Sequence, residues 1–391
     1  MGSPVPSCGV RRMRFYQSRF DRETGWDREP DPALDGAHTL LLAFADAREP
    51  AVAQALDELA ERFPHSVLLG CSSAGEIHGH EVSDGSLSLA VLCFGHTRLR
   101  AVSVPMQSSE ESLFVGRDLA TQLFAPDLAG VLVLSDGLKV NGSLLVDGIG
   151  SLLGEEVVVT GGLAGDGGSF EKTWVWTRAG RQPGHVAALG LYGSRVRMAH
   201  GSRGGWEPMD SELEITHAIG NVLYELNDRP ALEVYRECLG DDAQGLPASG
   251  LLHPLAIPNP LAPEGATVRT VLAIDEDEQS IVFAGDLPDT GRVHLMRSDL
   301  DSLVAGAAGA SSEALGRGEV GQAVVCVAIS CVGRRLVLKD RTDEELAATL
   351  AALPAGSGQL GFYSYGEISP LASGRCNLHN QTMTLTLIGE V

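Results

Sequence analysis

The chain has 391 residues, of which 44% are hydrophobic and 20% charged, and a formal net charge of −22. That length exceeds what one compact core usually holds, so two closely packed domains are expected. The acidic excess repels phosphate backbones and anionic lipid, which argues against a nucleic-acid or membrane-surface partner. No apolar run is long enough to span a bilayer, and no apolar segment follows the N-terminal basic residues as in a signal peptide, so a cytoplasmic protein is expected.

Residues 1–36 are polar and Pro-rich, carry Arg11, Arg12, Arg14 and Arg19, and read as an arm. An uninterrupted apolar strand follows at 39–44. A helix at 51–62 then places Val52, Leu56, Leu59 and Phe63 at helical spacing, and Pro64 ends it. A strand at 67–69 runs into a glycine-punctuated segment at 70–79, with further strands at 87–94 and 99–105. The order recurs as strand 130–134, helix 143–153 and strand 157–159, running into 161–167, with later strands at 173–176, 186–192 and 196–199. It recurs again as strand 323–330, helix 343–353 and strand 358–362, with a last strand at 382–388. Between the second and third units, 219–226 and 231–239 read as helices, the second opening after Pro230. A Pro-rich loop at 247–263, a hairpin over 267–275 and 280–285, and a strand at 293–296 complete this stretch. The segment 206–210 lacks an apolar period, so the predicted division is an arm 1–36 and domains 37–207 and 208–391.

The internal repeat is the most informative feature. Residues 70–77 and 361–368 both read G-x-x-S-x-G-E-I, and the middle unit keeps Ala164-Gly165-Asp166. Each unit therefore sets a glycine and a carboxylate beyond the end of a buried strand. The glycine permits close backbone approach, and an acceptor-only carboxylate either closes its own turn or holds a cationic group of a ligand. The expected fold is α/β: a layered sandwich of mixed, largely antiparallel sheets covered by helices, with strand–helix–strand repeats.

Seven cysteines without a CxxC pair read as reduced thiols, and Cys376 with His379 lacks the second ligand pair a metal would need. No dinucleotide loop, P-loop, nucleophile elbow or HExxH is present, so no catalytic constellation is expected; a cysteine- or carboxylate-dependent enzyme, with Cys71 beside its glycine turn as nucleophile, is the less favoured alternative. A ligand pocket reads better. Cys71, Ser72, Ser73, Glu76 and Asp166 are candidates from the first two units. Tyr363, Ser364, Tyr365, Glu367, His379, Asn380 and Thr382 are candidates from the third. Alternation along a strand would aim Tyr363 and Tyr365 the same way, and likewise His379 and Gln381. Tyrosines furnish small-molecule sites, and they also furnish cores.

These segments, with 215–226, 231–240 and 378–382, resemble the FIST N and FIST C domains over essentially the whole chain after the arm. The resemblance implies a non-enzymatic signal-input module that binds a small ligand such as an amino acid and modulates a signalling partner such as a histidine kinase. No output domain is attached to this chain, so the stand-alone form is expected. A subset of such proteins resembles nitric-oxide-sensing haem proteins (NosP-like), so haem b is a possible cofactor. An axial imidazole would then come from His379, His253 or His217.

Overall fold

The computed structural model describes residues 13–258, 266–318, 320, 321 and 324–391. Arg11 and Arg12, part of the 247–263 loop and the start of the strand expected at 323–330 lie outside them. The three repeats are present. They comprise strand Thr39–Asp46, helix Pro50–Arg62 and strand Val67–Ser73; Leu128–Ser135, Gly142–Gly150 and Val158–Leu163; and Val325–Cys331, Thr342–Ala351 and Gly358–Ser364. In each unit the two strands are parallel neighbours, with Leu42 beside Leu69, Leu132 beside Thr160, and Val327 beside Leu360.

Each unit then exchanges strands with the others in a cycle. After Val67–Ser73, Glu76–His78 pairs with the third unit's Gly358–Ser364. In the same way Val175–Thr177 pairs with the first unit's Val67–Ser73, and Gly366–Pro370 with the second unit's Val158–Leu163. The chain next returns home, so that Ser86–Cys93, His185–Tyr192 and Met383–Glu390 run antiparallel to the first strand of their own unit. The following strands cross again: Arg98–Pro105 to His185–Tyr192, and Val196–Arg203 to Met383–Glu390.

By that rule a strand following Met383–Glu390 would lie beside Ser86–Cys93. Its place is taken from the other end of the chain by Arg14–Asp21, paired along its whole length with Ser86–Cys93. Within the expected arm, Arg14–Asp21 and Gly25–Trp26 are therefore strands, and Pro32–Leu34 is a short 3-10 helix. Phe15 packs on the shared core, while Tyr16 and Phe20 pack with the layer under helix Pro50–Arg62. Short spacing and polar neighbours hide this strand in the sequence.

Alternation builds the layers. Leu40, Leu42 and Phe44 meet Leu132, Leu134, Val327 and Phe362 in a core shared by three sheets, with Phe44 stacked on Phe362 at 4.8 Å. Leu41, Ala43 and Ala45 face outward against Val52, Leu56 and Leu59 of the first helix. Both faces are covered, which is why these strands read as continuous apolar runs.

A fourth, largely antiparallel sheet is inserted between Val196–Arg203 and helix Leu300–Gly316, and helix Ala231–Leu239 packs on it. Its first strand, Glu207–Ile219, begins where the domain boundary was expected. The helix expected at 219–226 is instead strand Val222–Leu226. Ile219 pairs with Val222 across the two-residue turn Gly220-Asn221, and Gly220 has φ 58°. A hairpin turn rich in Gly and Asn outweighed the apolar spacing.

Candidate functional site

The three corners meet, and what they enclose is solid. The Ala74 N–H donates to Tyr363 O (2.9 Å), Tyr365 N–H to Leu163 O (3.0 Å), and Gly165 N–H to Ser72 O (3.1 Å). These bonds close the three strand ends into a ring. A Cβ on Gly165 would lie 2.8 Å from that of Ala74, so the expected enclosed space between the corners is filled with backbone.

The carboxylates serve the corners themselves. Glu76 accepts from the Ser86 N–H and hydroxyl. Glu367 accepts from the Ser364 hydroxyl (2.6 Å) and from the Thr382 N–H and hydroxyl. Both are fully enclosed, and burial raises both carboxyls, Glu367 to about 8. The middle unit has no such acid at the matching strand position. Glu76 stands opposite Phe362 and Glu367 opposite Gly162, while Val175 stands opposite Cys71. Asp166 belongs to a loop instead. Its burial would raise its pKa, but the Tyr365 hydroxyl, the Glu171 and Lys172 amides and Arg48 (2.9 Å) hold it below the usual carboxylate range.

Several other candidates are structural. Cys71 lies in the shared core, and burial pushes its thiol well up. Ser72 Oγ accepts from the Trp174 N–H, and Ser73 Oγ from the Gly75 N–H. The tyrosines diverge because the strand ends at Ser364. Tyr363 is buried with its hydroxyl on Glu345 (2.6 Å), whereas Tyr365 turns toward Asp166. His379 and Gln381 also part company. The strand ends at His379, Gln381 takes φ 59°, and its amide donates to Leu251 O (3.0 Å).

A cleft of about 560 Å³ opens between the fourth sheet and the strand ends of the second and third units. The fourth sheet and its loops contribute Leu251, Thr270, Leu272 and Asp286; the second unit contributes Leu138 and Asn141; the third contributes Val332, Leu336, Tyr365 and Asn380. Phe170 stacks on Tyr365 with centroids 4.5 Å apart. Leu138, Phe170, Leu272 and Leu336 remain between 37% and 53% exposed around it, a concentration of apolar surface that single scattered residues would not give. Of the twelve sequence candidates, Tyr365 and Asn380 line this cleft, and Asp166 holds Tyr365 from behind. The fourth-sheet residues were missed because no motif marks them. Their only sequence signal was the Pro-rich loop leading to Leu251.

Asn380 is completely buried, and neither its Oδ1 nor its Nδ2 has a hydrogen-bond partner among the described residues; the same holds for Thr270 Oγ1. Such orphaned groups are costly unless something meets them.

The donor set of the cleft does not fit a haem. None of the three candidate histidines lines it. His379 is buried with Nε2 on Ser369 O (3.0 Å), and burial lowers its pKa to about 4. His253 pairs with Asp242 (3.0 Å), and His217 is exposed and stacked on Tyr224. Burial pushes the Cys331 thiol up to about 12, so it offers no ready thiolate.

The FIST N domain matches residues 39–229 and the FIST C domain residues 231–370. The chain belongs to the FIST family. FIST domains are sensory domains of signal-transduction proteins and a non-catalytic domain type. Among curated proteins the chain is 26% identical over 279 residues to an uncharacterised protein of Methanocaldococcus jannaschii, covering 64% of this chain and 52% of that one. Uncharacterised proteins of Mycobacterium bovis and Mycobacterium tuberculosis are each 28% identical over 195 residues, covering 47% of this chain and 48% of theirs. The chain thus spans about half the length of the curated relatives it matches. Among the described residues no helix of this FIST protein is long and apolar enough to cross a membrane.

Proposed function

We propose that this FIST protein is a non-enzymatic, cytoplasmic sensor that holds a small ligand in the cleft and passes its presence to a signalling partner such as a histidine kinase. One observation carries the reading: the cleft is lined jointly by the fourth sheet and by the strand ends of two repeats. A ligand there touches both, and so can bias how one sits on the other. The expected domains, 37–207 and 208–391, are proposed to act as one body, because strands such as Gly366–Pro370 and Val196–Arg203 are exchanged across that division.

Apolar walls with a few convergent polar groups are the usual furnishing of a small-molecule site. The absence of a histidine among the described lining residues makes a haem-based nitric-oxide sensor the weaker reading, and the buried Cys71 thiol supports no nucleophile. The test is a thermal-shift screen of amino acids and other metabolites on the native chain and on a variant of the cleft-lining Ala284, Ala284→Phe, designed to fill the cleft. Binders of the native chain should fail to stabilise the variant. A panel without binders, or binders that ignore the substitution, would remove the cleft from the account.

A further inference from the structure

The chemistry of the cleft wall narrows what it accepts, provided that the cleft is the ligand site proposed above. Asn380 presents a buried acceptor and donor side by side, both unmatched among the described residues, with the Thr270 hydroxyl, contributed by the fourth sheet, also unmatched in the lining. An amide of this kind pairs in two-point fashion with another group that has an adjacent donor and acceptor. A carboxylate offers acceptors only and would leave Asn380 Oδ1 facing a second acceptor.

Charge points the same way. Asp286 is the one charged side chain among the described lining residues, and no Lys, Arg or His joins it. Its carboxylate is held by the neutral Asn141 amide (2.9 and 3.1 Å). Arg269 stands behind it, committed to Asp286 O (2.9 Å) and Leu378 O (3.0 Å), and forms no part of the wall. The N-terminus of helix Gly142–Gly150 also meets the cleft. Its cap Asn141 is already used, with Oδ1 accepting from Leu144 N–H and Nδ2 donating to Asp286. An anionic ligand would therefore enter a site without a cationic side chain and against a carboxylate. The exposed apolar rim of Leu138, Phe170, Leu272 and Leu336 suits a flat, weakly polar body.

We propose that the cleft selects a neutral or singly cationic planar ring compound with a hydrogen-bond donor and acceptor side by side, as on a carboxamide or lactam edge. Asn380 reads that edge, and the apolar rim covers the ring.

Matched probes test this on the full chain: benzamide against benzoate, and nicotinamide against nicotinate, by ligand-observed saturation-transfer NMR and calorimetry. The amides should bind about tenfold or more tightly than their carboxylates, and Asn380→Leu should lose about tenfold in amide affinity. The wild-type comparison stands even if that variant folds poorly, and Thr270→Val gives a second, milder perturbation. Equal or tighter binding of the carboxylates, or unchanged amide affinity in a folded Asn380→Leu, overturns the proposal. If neither pair binds while other metabolites occupy the cleft and are blocked by Ala284→Phe, the ligand class is wrong and the sensor reading stands. If nothing occupies the cleft, both fall.

Discussion

Arg334 and Glu345 form an ion pair closed to solvent on both sides, with Nη2 2.8 Å from Oε2. The remaining valences are also used. Glu345 Oε1 accepts from Tyr363 and Ser330, while Arg334 donates to Leu303 O and to Gly204 O at the entry to the fourth sheet. This pair ties the third repeat to the junction beside the cleft.

Removing one member leaves a buried charge without its partner. Arg334→Met or Glu345→Gln should each cost about 3–5 kcal/mol, measured by urea denaturation. A loss below about 1 kcal/mol would mean that the pair is replaceable by water or by neighbours.

Glu367 makes stability depend on pH. Burial holds its carboxyl at about 8, above the unfolded value of about 4.3. The folded state therefore keeps a proton that the unfolded chain releases, and stability falls as pH rises through that window. Glu367→Gln is neutral throughout, so its stability relative to wild type should climb from pH 5 to pH 8. A difference that stays flat would show that the carboxyl is ionised in the fold.

The unmatched amide of Asn380 should burden the ligand-free protein. Asn380→Leu keeps the branched shape and removes the orphaned groups, so ligand-free stability should rise by about 1–3 kcal/mol in chemical denaturation. A fall instead would place a partner on that amide.

Deleting residues 1–21 distinguishes an arm from a strand. It strips the partner from Ser86–Cys93 and bares an apolar sheet edge, so the product should be insoluble or lose its cooperative melt. A soluble protein with an unchanged melting temperature would mean that the sheet tolerates the open edge.

The repeats were legible because their signal is local. Strands such as Thr39–Asp46 are buried on both faces and read as solid apolar runs, and helix Pro50–Arg62 announces its own face. The G-x-x-S-x-G-E-I corners were visible for the same reason, yet their role was not. Whether Glu367 meets a ligand or Thr382 depends on which strand returns beside it. Tyr363 and Tyr365 looked like one wall until the strand end at Ser364 sent them apart.

The sequence by itself determined a repeated α/β chain, its acidic character and its FIST motifs, because hydrophobic period and turn chemistry act between near neighbours. Only the tertiary structure decided the cyclic exchange of strands, the closure of the ring by Arg14–Asp21, and the cleft that joins Asn380 to Thr270. Those follow from register and packing between segments far apart in the chain, where backbone hydrogen bonds are indifferent to residue type and leave no local pattern to read.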